Sequence, residues 1–147
     1  MIDPCDCNPK DLLQGLLAYC PDWADFQIDV EEWDGPKGRG DLVLRIPSEN
    51  PTVAEPLTIL LSGNIRLYWH RGYFFDFLGN ADEQVSETTN FLTDFFAEEI
   101  LCSVFVREGQ GAGGGPIDRK DPKPPLLDFD CLELRSWHGT FDQDVLR

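Results

Sequence analysis

Between Leu57 and Phe77, two turn signals interrupt an otherwise apolar, alternating run. Leu57 to Leu61 is an apolar stretch that includes Thr58 and the β-branched Ile59. Ser62-Gly63-Asn64 then breaks it, and Ile65, Leu67 and Trp69 alternate with Arg66, Tyr68 and His70. Arg71-Gly72 is a second break, after which Tyr73 to Phe77 returns. A period of two sends successive side chains to opposite faces, which suits a strand and not a helix. The segment therefore predicts three antiparallel strands in a meander.

The flanking segments add strands and two helices. Asn8 before Pro9 is a helix cap followed by proline at the first helical position. Leu12, Leu13, Leu16, Leu17 and Cys20 recur at helical spacing until Pro21 stops them. Phe26, Ile28 and Val30 alternate as a strand, and Asp41 to Ile46 reads as its hairpin mate across the turn-rich residues 34–40. Ala81 to Ile100 is a helix pattern, with Val85, Thr88, Thr89, Leu92, Phe95, Phe96 and Ile100 on one face. Leu101 to Arg107 and Cys131 to Trp137 are strands. Between them, Gly109 to Pro125 holds five glycines and four prolines and predicts a flexible loop over about residues 108–125. The expected fold is a single α+β domain over residues 1–147: an antiparallel sheet carrying an N-terminal helix and one long acidic helix.

Charge excludes several partners. The 147 residues carry 27 acids against 12 Lys plus Arg, a formal net charge of −15. Phosphate backbones and anionic membrane surfaces are repelled by such a chain, so nucleic acid and membrane are disfavoured and a basic protein is the natural complement. Five cysteines, Cys5, Cys7, Cys20, Cys102 and Cys131, are scattered and odd in number. With no basic and apolar leader at the N-terminus, they predict a reduced, cytoplasmic chain.

Signatures of catalysis or cofactor binding are weak. Cys5-x-Cys7 with Cys20 lacks the second ligand pair of a zinc site. The glycines from Gly109 to Gly115 lack the Gly-Lys-Ser/Thr ending of a phosphate loop. His70 and His138 are the two histidines, and both fall at expected strand ends. No cofactor and no metal are expected, and no residue is assigned to catalysis.

The acids themselves are unevenly placed. Asp22 to Asp34 and Asp76 to Glu99 together hold 13 of the 27 acids and no Lys or Arg. On a helical wheel of about 100° per residue with Glu83 at zero, Asp94 falls near 20°, Glu87 near 40° and Glu98 near 60°. Phe91 falls near 80°, outside the expected core arc of roughly 120–260°. Like charges at i,i+4 disfavour a helix, so this stripe costs stability. Glu83, Glu87, Asp94 and Glu98, with Phe91 as an aromatic anchor, are the expected partner-binding residues.

Several of these pieces together resemble a known group. They are the hairpin Ile65 to Phe77, the acidic helix Asp82 to Ile100, the strand Leu101 to Val106, and the closing Leu134-Arg-Ser-Trp-His-Gly-Thr-Phe-Asp142. Over about residues 57–142 the chain resembles a loose group of small bacterial α+β proteins. Many of these sit beside polymorphic toxins and are taken to be their immunity proteins. The resemblance implies a stoichiometric inhibitor whose acidic face occludes the active cleft of a basic toxin. A small enzyme using His70 and His138, and a structural or adaptor subunit, are the competing readings.

Overall fold

The computed structural model describes residues 7–26, 28–31, 41–121 and 130–146. It is α+β with antiparallel sheets. In chain order the elements are α1 (Pro9–Tyr19), a short 3-10 turn (Pro21–Asp25), β1 (Ile28–Glu31), β2 (Asp41–Ile46), β3 (Leu57–Leu61), β4 (Ile65–Tyr68), β5 (Tyr73–Phe77), α2 (Ala81–Phe96), β6 (Ile100–Arg107), β7 (Gln110–Asp118), β8 (Cys131–Arg135) and β9 (Gln143–Leu146). Cys5, the turn residues 34–40 and Pro122 to Pro125 lie outside the described residues.

The strands form two sheets rather than one. The first is a meander in the order β1-β2-β3-β4-β5, and the second runs β7-β6-β8-β9. In the first sheet Leu44, Ile46, Leu57, Ile59, Leu61, Ile65 and Leu67 point into the main core. In the second, Cys102, Val104 and Val106 of β6 join that same core. The alternate residues Leu101 and Phe105, with Ile117, Leu132 and Leu134, form a separate apolar cluster. A β-strand with both faces apolar is expected where both are covered.

Helix α1 begins as its sequence dictates, with the Asn8 side chain accepting from the Lys10 amide at 2.9 Å. It buries Leu12 and Leu16 and crosses α2 at Gly15, where a Cβ would come within 2.8 Å of a Val85 methyl. The N-terminus of α2 is capped by Asn80, whose Oδ1 accepts from the Glu83 amide.

Helix α2 ends at Phe96, four residues before the expected Ile100, which instead opens β6. The reason is a C-terminal Schellman turn. The Glu99 amide donates to Asp94 O and the Glu98 amide to Phe95 O, with Glu98 left-handed at φ 62°. Glycine usually fills this position, so a glutamate there hides the helix end from a sequence reader.

The largest departure is β7. The expected Gly/Pro-rich loop is, over Gln110–Asp118, a strand paired along the length of β6. Its glycines are fitted to its neighbour. A Cβ on Gly113 (φ 140°) would come within 2.6 Å of the Phe105 ring, and one on Gly114 would collide with the Ser103 carbonyl oxygen. The Phe105 ring thus covers the backbone where side chains are missing, as aromatic residues do opposite strand glycines. Strand β9 lies beyond the expected elements, and its four residues are all exposed.

Gly114→Ala is expected to cost about 3 kcal/mol by overpacking against the β6 backbone. Gly111→Ala, whose Cβ would sit at an ordinary 3.6 Å from its neighbours, should change stability by about 0.5 kcal/mol or less. Urea denaturation of both variants checks this, and equal midpoints would contradict the β6–β7 pairing.

Candidate functional site: an acid-rimmed cleft beside α2

The last turns of α2, β5 and the paired ends of β6 and β7 enclose an open cleft of about 650 Å³. Its apolar lining is Phe75, Phe91, Ile100, Pro116 and Ile117, and its polar lining is Asp94, Glu99, Asp118 and Lys120. Two of the expected partner-binding residues, Phe91 and Asp94, therefore line one concavity.

Phe91 is half-buried rather than projecting freely. It stacks on Phe75 (centroids 5.4 Å apart, 17° between planes) and lies nearly parallel to Phe95 at 6.4 Å. Phe74 and Phe77 meet it edge-on. The helix is rotated from the expected arc because Gln84, on the Phe91 side, is fully buried. Gln84 Oε1 accepts from the Ile65 amide at 2.7 Å, and its Nε2 donates to Gly79 O and Cys7 Sγ. A buried amide that satisfies three groups belongs to the core, although its polarity assigns it to the surface.

Glu83, Glu87 and Asp94 are exposed on α2, as the wheel places them. Glu98 is not part of that stripe. It lies beyond the helix, 8% exposed, and its Oε2 accepts from the His138 and Thr140 amides at 3.3 and 3.2 Å. Burial opposes its charge. The bonds from Ser136, Thr140 and the loop amides outweigh that burial and hold its pKa below the ordinary carboxylate value. Its role is to fasten the β8–β9 loop.

At the rim, Glu99 is already engaged, by Arg119 Nη2 and Lys120 Nζ, each at 3.4 Å. Arg119 also lies over the Phe141 ring at 4.2 Å. Among the described residues neither Asp94 nor Asp118 has an ion-pair partner. Asp118 Oδ1 accepts from the Lys120 amide at 2.8 Å.

The two histidines engage different carboxylates. His70 is 7% exposed and its Nε2 is 2.8 Å from Glu133 Oε1, which also accepts from Arg71 Nε at 2.7 Å. Burial acts against the Glu133 charge, and Arg71 and His70 overcome it, so its pKa is lowered. His138 is exposed, and its backbone meets Glu98. Burial pushes the Cys102 thiol far above its ordinary value, and the Cys131 thiol is also raised. Neither is a ready thiolate nucleophile. Asp142 accepts from Asn50, Thr52 and the Ser136 amide. Among the described residues no three His, Cys, Asp or Glu side chains converge as a metal site would require. Also among them, no helix is long and apolar enough to cross a membrane.

No protein-family model, curated protein or solved structure matches the chain.

Glu98→Gln is expected to cost about 1.5–3 kcal/mol at neutral pH, since it removes a charged acceptor from two amides. The native Glu98 pKa is lowered, so its stabilisation is complete above the unfolded carboxylate value and is lost as pH falls through the native one. The stability difference between wild type and variant should therefore shrink below about pH 4.5, the ordinary carboxylate value. Chemical denaturation at pH 7 and pH 3.5 measures it, and a gap independent of pH would place the effect elsewhere.

Proposed function

We propose that this chain is an immunity-type inhibitor, an acidic protein that binds a basic bacterial toxin one-to-one and occludes its active cleft. The observation that carries the reading is the placement of Asp94. A carboxylate in the last turn of a helix faces the negative end of the macrodipole, which costs about 0.3–1 kcal/mol. The last turn of α2 contains no basic residue to offset it. Asp82 and Glu83 in the first turn complement the dipole and are accounted for by helix stability alone. Asp94 has no such account within the fold, and solubility needs no acid at that particular end.

Glu83, Glu87 and Asp94 on one exposed face would steer a basic protein into encounter. The half-buried Phe91 and the apolar cleft beside it supply area that can be buried on docking. Inhibition by occlusion needs no cofactor or metal. The reading is of a cytoplasmic protein, and the free thiols Cys20, Cys102 and Cys131 support it.

Affinity capture from the source cells, followed by titration of the captured protein's own activity, should give stoichiometric inhibition. Glu87→Lys with Asp94→Lys should slow association and flatten its salt dependence. Asp94→Lys alone should stabilise the free protein by about 0.3–1 kcal/mol while weakening binding. Partner binding like wild type in both variants would remove this face from the interface.

A further inference from the structure

Resting on the reading of a basic protein partner, we infer that the cleft beside α2 seats an arginine side chain of that partner. The floor, Phe75, Phe91, Ile100, Pro116 and Ile117, suits the apolar stem of a long cationic side chain. The walls suit its head. Asp94 stands on the helix wall and Asp118 on the β7 wall, and among the described residues neither pairs with a cation. The negative end of α2 lies beside them. Three sources of negative potential thus border one apolar floor.

The chemistry of an apolar, aromatic floor with acidic walls favours arginine over lysine. A guanidinium is a planar fork of five donors, is weakly hydrated and packs against aromatic rings. Its fork offers donors in several directions, whereas an ammonium is a compact, strongly hydrated charge. An added β-strand fits less well here. Pro116 lies in the edge strand β7 and supplies no N–H at the cleft. The volume also exceeds one side chain, which leaves room for the residues flanking the arginine. Lys120, a cation that lines the cleft, is 72% exposed at its side chain, which among the described residues pairs with Glu99. Exposed pairs of this kind are weak, so Lys120 can swing aside, and its charge competes with the incoming one.

The test uses isotope-labelled full-length protein and three blocked pentapeptides, Gly-Gly-X-Gly-Gly, in which X is arginine, lysine or citrulline. The arginine peptide should give saturable amide shifts confined to Phe91, Asp94, Ile117 and Asp118, with a Kd on the order of millimolar. The lysine peptide should bind about tenfold more weakly, and the uncharged citrulline peptide should not bind detectably. Asp94→Asn with Asp118→Asn, both isosteric, should weaken the arginine peptide about tenfold or more, and Lys120→Gln should tighten it. Shifts that are equal for arginine and lysine, spread over the acidic surface and unchanged by the double variant would overturn the cleft assignment. So would the absence of shifts. A captured partner that tolerates the double Asn variant but not Glu87→Lys would likewise overturn the cleft while leaving the acidic-face reading intact.

Discussion

The aromatic contacts of Phe95 hold the two sheets to one helix. Phe95 is fully buried on α2 and meets Trp69 at 5.2 Å, Phe74 at 5.1 Å and Trp137 at 5.6 Å. Trp69 follows β4 and Phe74 lies in β5 of the first sheet, whereas Trp137 follows β8 of the second. Phe96 packs on Trp137 at 5.1 Å and on Trp23 at 6.2 Å, which carries the cluster toward the N-terminal helix. Edge-on and tilted ring pairs each add about 0.5–1.5 kcal/mol beyond the area they bury. Because α2 is fixed on both sheets, its C-terminal end, with Asp94, is fixed against β7. The cleft is a consequence of that junction.

Polar side chains complete what the rings begin. Asn50, 2% exposed in the β2–β3 connection, donates to Ser136 O and Asp142 in the β8–β9 loop. Glu98 collects the amides of the β8–β9 loop. Glu133 of β8 grips the tight β4–β5 turn, where His70 and Arg71 both have positive φ, 32° and 71°. Left-handed conformations cost such residues roughly 1–2 kcal/mol each, and the paired bonds to Glu133 give that turn its compensation. All three knots join segments more than 35 residues apart, and buried polar contacts of this kind help to specify one arrangement.

What the sequence made legible follows from how local each signal is. The bounds of β2, β3 and β5, and the start of α1, rest on alternation, turn residues and an Asn-Pro cap, all of which act within a few positions. The end of α2 depends on Glu98 adopting a glycine conformation for the sake of amides 40 residues away, so no local signal marks it. The composition of β7 predicts a loop because glycine and proline lower strand propensity. Phe105 and the Ser103 carbonyl reverse that preference, and both lie on the partner strand. Gln84 is non-local in the same way, since its burial depends on Ile65 and Gly79. Helical spacing places Phe91 and Asp94 within about 60° of each other on α2. The cleft that joins them to Phe75 and Asp118 has no local signal, because its far wall is β7.

This dependence bears on how charge is used. An acid placed for solubility alone would fall where it costs the fold nothing, such as a helix N-terminus or an open loop. Glu83 near the Asn80 cap meets that condition. Asp94 does not, and neither does the lack of any base on the exposed stripe of α2. Glu99, next in chain order along the rim, shows the opposite treatment: it is neutralised by Arg119 and Lys120, which also tie β7 to the helix end. One rim acid is thus paired in building the cleft, while among the described residues Asp94 and Asp118 have no ion-pair partner beside the apolar floor. That division between a structural acid and two acids with no ion-pair partner among the described residues is what the proposed seating of a cationic side chain relies on.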